Sequence, residues 1–130
     1  MGENRIVTEL FLDKPTFEEV SKIARALQEL NIRTIVMPPE ERKINTHLVV
    51  ENSDLEKVRN VLDQLGVIAS EKEVVLIKLE NKPGTMADAA TKVSNKGINL
   101  NYAFAVSMDE EMSYVLLGTS NNKKALEALE

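Results

Sequence analysis

One order of elements occurs twice in this chain of 130 residues, at a period of about 66–68 residues, and that repeat limits the fold to two small units of similar build. Each unit stands near the lower size at which a hydrophobic core holds by itself. Ile6 to Leu12 is apolar with β-branched and aromatic members, and Asp13-Lys14-Pro15 ends it as a turn. Thr16 and Glu19 then form a capping box, and Val20, Ile23, Ala24, Leu27 and Leu30 recur at helical spacing up to Asn31, a left-handed stop. Strands over Ile32 to Met37 and Ile44 to Val50 follow, joined by Pro38-Pro39 and the charged run 40–43. Ser53 and Glu56 read as a second capping box. Leu55, Val58, Val61, Leu62 and Leu65 mark the buried stripe of the helix, Gly66 its end, and Val67-Ile68-Ala69 a short last strand.

After a polar bridge at Glu71-Lys72-Glu73 the order begins again, with a strand from Val74 to Leu79 and a turn at Asn81-Lys82-Pro83-Gly84. The helix from about Thr85 to Lys96 buries Met86, Ala89, Ala90 and Val93 and stops at Gly97, with Ile98 placed for the contact that accompanies such a cap. Strands over Ile98 to Val106 and Met112 to Thr119 flank the polar Met108 to Glu111 turn, and a last helix starts near Asn121. The expectation is an α+β chain of two βαββαβ units with antiparallel sheets, residues 1–70 and 71–130, the second without its last strand. The bare sheet edge so left calls for a cover, from Val67 to Ala69 or from a partner chain. Superposing the two turns puts Leu10 and Leu12 opposite Lys78 and Glu80, so either a bulge intervenes or the first strand buries both faces. Apolar residues on both faces of Met112 to Leu117 favour a second packed layer.

Composition removes several functions. The net charge of −5 opposes nucleic acid as a partner, and Arg42-Lys43 and Lys123-Lys124 are isolated pairs. No segment has the apolar length of a membrane span, and no secretory signal opens the chain, so a cytoplasmic location is expected. Without cysteine there is no thiol or disulfide chemistry. His47 has no companion at metal-ligand spacing and reads as a sheet histidine, while Asp109-Glu110-Glu111 reads as a solvated turn, so no metal is expected. Ser107, Ser113 and Ser120 have no base arranged for nucleophilic attack, and neither a catalytic residue nor a cofactor is expected. Tyr102 and Phe104 read as core or interface.

The turn after the second repeat's first strand is the candidate site. Gly84 lets a ligand approach the backbone, and the amides opening the next helix carry partial positive charge suited to a carboxylate. Asn81 and Asn99 each offer a donor and an acceptor, and carboxamide oxygens suit an ammonium group. The set is Asn81, Pro83, Gly84, Thr85, Met86 and Asn99. Asn-Lys-Pro-Gly is equally a good turn on its own.

Residues 74–86 (VVLIKLENKPGTM), then Lys96-Gly97-Ile98-Asn99-Leu100 and the closing Ala125-Leu126-Glu127-Ala128-Leu129, resemble the ACT domain, a ferredoxin-like βαββαβ ligand-binding module. The resemblance covers 73–130 and is strongest to the serine-binding regulatory domain of phosphoglycerate dehydrogenase and to stand-alone proteins of two such domains. It implies a noncatalytic regulatory protein, homodimeric, in which Asn81 and Asn99 hold an amino acid or similar small effector across an interface between units. Leu79 stands where that family domain has a histidine that contacts effector, so the resemblance adds Leu79 to the ligand-binding set and points to a less polar amino acid than serine. In the first repeat Asp13 stands for Asn81, Thr16 or Phe17 for Gly84, and Arg33 for Asn99. That repeat is therefore mainly structural, with Asp13 and Arg33 as a second candidate pair for ammonium and carboxylate. The alternative is a protein interaction module or regulatory subunit of a metabolic enzyme, without a small-molecule ligand.

Overall fold

The structure, a computed structural model, describes residues 4–32, 34–37 and 46–130. Arg33, Pro38-Pro39 and the charged run 40–43 lie outside the described residues. The elements in chain order are β1 (Arg5–Leu12), α1 (Phe17–Glu29), β2 (Thr34–Met37), β3 (Thr46–Val50), a 3-10 turn (Asn52–Asp54), α2 (Leu55–Leu65), β4 (Ala69–Glu80), α3 (Thr85–Asn95), β5 (Leu100–Met108), β6 (Met112–Thr119) and α4 (Asn122–Ala128). Contacts divide them into two compact units, Thr8–Lys72 and Met1–Val7 with Glu73–Glu130.

In Thr8–Lys72 the strand order is β2-β3-β1-β4, with β1 and β2 both antiparallel to β3 and Leu10 facing Leu48 across the first pair. Leu10, Leu12, Leu48 and Val50 meet Ile23 and Leu27 of α1 and Val58, Val61 and Leu62 of α2 in one core. The capping box forms: Thr16 Oγ1 accepts from the Glu19 amide at 3.1 Å, and Glu19 Oε1 accepts from the Thr16 amide at 2.9 Å. Asn31 closes α1 with φ of 56°, and the Ile32 amide turns back to the Leu27 carbonyl at 2.9 Å.

The second capping box does not form. Ser53 is taken into the 3-10 turn, Asp54 leads α2 without a side-chain cap, and the Glu56 carboxylate pairs with Arg59 instead. Along β1, Val7, Thr8, Glu9 and Leu10 are buried in succession, so both faces of that strand are covered. Glu9 is 1% exposed, with Oε2 at 3.4 Å from Nδ1 of His47, and the His47 ring meets Phe11 edge-on.

The short strand Val67 to Ala69, the polar bridge and the strand Val74 to Leu79 are replaced by the single strand β4. Val67 packs in the helix-covered core while Ile68 is exposed. Glu71-Lys72-Glu73 read as a linker by composition, yet a strand tolerates polar residues wherever its side chains meet water. Glu71 accepts two hydrogen bonds from the Arg59 guanidinium, at 2.6 and 2.7 Å. That pairing holds the Glu71 carboxyl below the usual carboxylate range.

In the other unit β4 and β5 both run antiparallel to β6. The other side of β4 is occupied by the chain's own start, Arg5–Val7, and Asn4 Oδ1 accepts from the Lys78 amide at 3.0 Å. The edge that the sequence left bare is thus filled by neither Val67 to Ala69 nor a second chain. Under α3 and α4 lie Val75, Ile77, Ala89, Val93, Ile98, Val115, Leu117 and Ala125. Ile98 makes the apolar contact that follows the left-handed Gly97, and β5 begins two residues later than the sequence suggests. On the face away from the helices, Val74, Leu76 and Leu116 are also buried.

Candidate ligand-binding site

The turn between β4 and α3 is tied down from both ends. The Asn81 amide donates to the Glu111 carbonyl at 2.7 Å, and Asn81 Nδ2 donates to the Asp109 carbonyl at 2.6 Å, so the β5–β6 turn anchors the asparagine. Thr85 Oγ1 donates to the Glu80 carbonyl at 2.8 Å, which bends the chain back over the strand end. Between them Gly84 takes φ of 90° as the residue that leads α3, a conformation costly to any side chain with Cβ. No atom would meet a Cβ there, so the space above Gly84 is open.

Gly84 brings no side-chain cap, and this leaves donors exposed. The Asp88 amide bonds the Gly84 carbonyl, whereas the amides of Met86 and Ala87 have no partner among the described residues. Asn81 Oδ1 likewise accepts no bond there. The turn therefore offers two open N–H donors and one open carboxamide oxygen. Lys82 is paired with Glu80 at 2.6 Å on the exposed side, a pairing of little energetic consequence in solvent.

Of the residues that carry these groups, Asn81 and Met86 edge a cavity of about 270 Å³, and Ala87 follows on the same first turn of α3 without lining it. Leu79, Asn81, Lys82, Gly84, Thr85 and Met86 form its turn side, and Ala103, Ala105 and Met108 of β5 with Ser113 and Val115 of β6 form the rest. Cross-strand register explains the convergence: Leu79 and Met108 flank Ser113 on either side, and Ala105 faces Val115. Alternation then sends all of these to the helix side of the sheet. The floor is apolar except for Ser113.

Of the sequence-derived set, Leu79, Asn81, Gly84, Thr85 and Met86 line this one cavity. Pro83 belongs to the turn but does not line it. Asn99 is not brought to it. Leu100 pairs with Thr119, at the far end of β6 from Ser113, and the strand between spans roughly 20 Å. Asn99 instead closes the loop before α4, its amide donating to Ser120 Oγ at 2.9 Å and its carbonyl accepting from the Ser120 amide at 3.0 Å. Asp13 lies exposed at the end of β1, its amide bonded to the Ile68 carbonyl at 2.9 Å, and its candidate companion Arg33 lies outside the described residues. The sequence reading missed Ala103, Ala105, Met108, Ser113 and Val115. Its available signal was the pair of alanines at alternate positions of a strand, small residues that leave room on one face.

The anchor of Asn81 is itself sensitive to acid. The Asp109 carboxylate accepts from the Met112 amide at 2.7 Å and the Glu111 amide at 2.8 Å, and these bonds, with a smaller contribution from Lys78, hold its pKa below the ordinary aspartate value. A depressed folded pKa means the stabilisation is fully present above the unfolded value and lost as pH falls through the folded one. In an acid titration followed by NMR, the Glu111 and Met112 amide resonances should move together at a pH below the ordinary aspartate range, and Asp109→Ala should remove that inflection. An inflection at the ordinary value would show that the turn does not depend on these bonds.

The family model of the ACT domain pair matches residues 17–129. The chain belongs to this family. Its ferredoxin-like arrangement of antiparallel strands with helices is also found in solved structures of low sequence identity. Protein BT0572 from Bacteroides thetaiotaomicron is 21% identical, with 98% of this ACT pair and 87% of that chain covered and a TM-score of 0.74. The ligand-free regulatory subunit of aspartate kinase from Thermus thermophilus is 14% identical, with 97% and 94% covered and a TM-score of 0.67. The corresponding subunit from Thermus flavus is 15% identical, with 98% and 94% covered and a TM-score of 0.61. At these identities the likeness is one of fold. No curated protein matches the ACT pair in sequence. Among the described residues no helix is long and apolar enough to cross a membrane, and no group of side chains is arranged to hold a metal ion.

Proposed function

We propose that this ACT pair is a noncatalytic regulatory module that binds an amino acid in the cavity beside Gly84. The observation that carries the reading is the pairing of polar groups there: the open amide of Met86, with that of Ala87 next along the same helix turn, for a carboxylate, and Asn81 Oδ1 for an ammonium group, above an apolar floor. Leu79, Met86 and Val115 on that floor favour a ligand with a partly hydrocarbon side chain. Residues 71–130 are the binding unit and residues 1–70 chiefly a scaffold. Binding would regulate by favouring one arrangement of the protein over another, which requires unequal affinity for the two.

Two finer points belong to the same reading. β5 is the outer strand of its unit, with Ala103 and Ala105 exposed, and a second copy docking along it would make the homodimer that the sequence suggests. Asn99 reaches a ligand only if a neighbouring copy supplies it. The second reading, a regulatory subunit acting on a cytoplasmic metabolic enzyme, is favoured by the span of the likeness: the Thermus regulatory subunits are covered nearly whole.

Calorimetric titration of the full chain with each of the twenty amino acids tests the proposal. At least one is expected to bind, and Asn81→Ala to weaken it about tenfold by removing a hydrogen bond to a charged group. Asn99→Ala should leave affinity unchanged if the site is complete in one copy and reduce it if a neighbour contributes. Heat from none of the twenty would leave only the subunit reading.

A further inference from the structure

Ser113 is unusual among the cavity's side chains. It is 7% exposed, held by Leu79 on one flanking strand and Met108 on the other, yet its hydroxyl has no hydrogen-bond partner among the described residues. No side-chain oxygen or nitrogen of the described residues is both sealed from solvent and unpartnered. The hydroxyl must therefore open onto accessible space, and the space that Ser113 lines is the cavity. The hydroxyl is thus a polar group on an otherwise apolar floor of Leu79, Val115, Ala103 and Ala105, and a ligand that covers it must either bond to it or leave it unpaired.

We infer that Ser113 is a specificity-determining residue of this site. Its hydroxyl selects an amino acid whose short, largely apolar side chain carries a hydrogen-bonding group, against the hydrocarbon of the same shape. The inference rests on the proposed amino-acid site and adds to it the class of side chain. The arrangement works at two levels. The open amides of α3 and Asn81 Oδ1 face the backbone groups common to every amino acid, so they give affinity without discrimination. Ser113 sits below them on the sheet, where a side chain would reach, and a hydroxyl both donates and accepts. A ligand with a hydroxyl or carboxamide satisfies it. A hydrocarbon ligand displaces water from it and leaves it unpaired, and sites built with a buried polar group reject ligands that cannot bond to it.

The test uses the full chain and three shape-matched pairs of probes: L-threonine with L-valine, L-serine with L-2-aminobutyrate, and L-asparagine with L-leucine. Calorimetry on the unaltered protein should show the polar member of at least one pair binding roughly tenfold tighter. Ser113→Ala should abolish that preference while the hydrocarbon member binds as well as before or better. Ser113→Thr, which keeps the hydroxyl, should restore the preference, and circular dichroism of each variant confirms its fold. Equal weakening of both members by Ser113→Ala, or no polar preference in the unaltered protein, overturns the inference and leaves the amino-acid site standing. Failure of all six probes to bind overturns the inference, and heat from others of the twenty amino acids then decides whether the amino-acid site falls with it.

Discussion

Ala105→Trp is expected to weaken effector binding by at least about 100-fold while altering stability by no more than about 1 kcal/mol. Ala105 faces Val115 from the outer strand β5 and is exposed, so its replacement disturbs no packed neighbour. An indole placed there has one sheltered direction to take, into the cavity of about 270 Å³ between β5 and the first turn of α3. A ring that large occupies the apolar floor and competes directly with a ligand side chain. Calorimetry with the best-binding amino acid and urea denaturation of the same variant are the paired measurements. Full affinity in Ala105→Trp would place the ligand elsewhere. The same variant tests the docking of a second copy along β5, because a bulky side chain on the outer strand also obstructs a neighbour. Sedimentation at matched concentration separates the two effects: affinity lost with the oligomeric state unchanged is occlusion of the cavity, and affinity lost together with a shift to monomer is loss of the neighbour.

What was legible in the sequence was mostly what is settled within a turn of the residue concerned. Thr16 with Glu19, the left-handed Asn31, the helix stops at Gly66 and Gly97, and the apolar stripes of α2 and α3 act over a few residues, and the structure contains each of them; of the stripe read for α1, Ile23 and Leu27 are buried while Ala24 and Leu30 are exposed. Even locally the reading failed at Ser53. Asn52 accepts a hydrogen bond from the Thr8 hydroxyl at 2.6 Å, a partner distant in sequence, and the 3-10 turn it belongs to displaces the expected cap. The polar run Glu71 to Glu73 misled for a related reason: composition reports exposure, and an exposed strand face looks like a linker.

Half of the candidate site was legible for the same cause. Its turn side, from Leu79 to Met86, is one continuous stretch whose glycine and asparagine announce themselves. Its sheet side depends on register, which puts Ser113 between Leu79 and Met108 and sends Asn99 to the opposite end of β6. Register is decided by pairing across strands and by the irregularities in β5 between Leu100 and Tyr102 and between Ala105 and Ser107. None of that is visible in a spacing. The filling of the bare edge of β4 by Arg5–Val7 is the extreme case, since those residues are separated from their neighbour by the whole first unit.

Gly118→Ala should destabilise the protein by about 1–3 kcal/mol, and the sign of its effect should reverse in a Tyr102→Ala background. Gly118 is buried on the face of β6 that carries Leu116, and Tyr102 of β5 stands directly across from it. A Cβ built on Gly118 would come within 2.3–2.7 Å of three carbons of the Tyr102 ring, so the ring occupies the place of the absent side chain. Adding a methyl group forces the ring off that seat and exposes part of it. Gly118 does not have the positive φ of Gly66, Gly84 and Gly97, so its backbone is one that alanine adopts without strain. Once the ring is removed, alanine should therefore stabilise the strand by about 0.5–1 kcal/mol, because a glycine within a strand loses more backbone freedom on folding. Urea denaturation of the four proteins in the cycle measures the coupling. Additive effects would mean that the ring moves aside at no cost, and that the glycine is there for a reason other than the tyrosine above it.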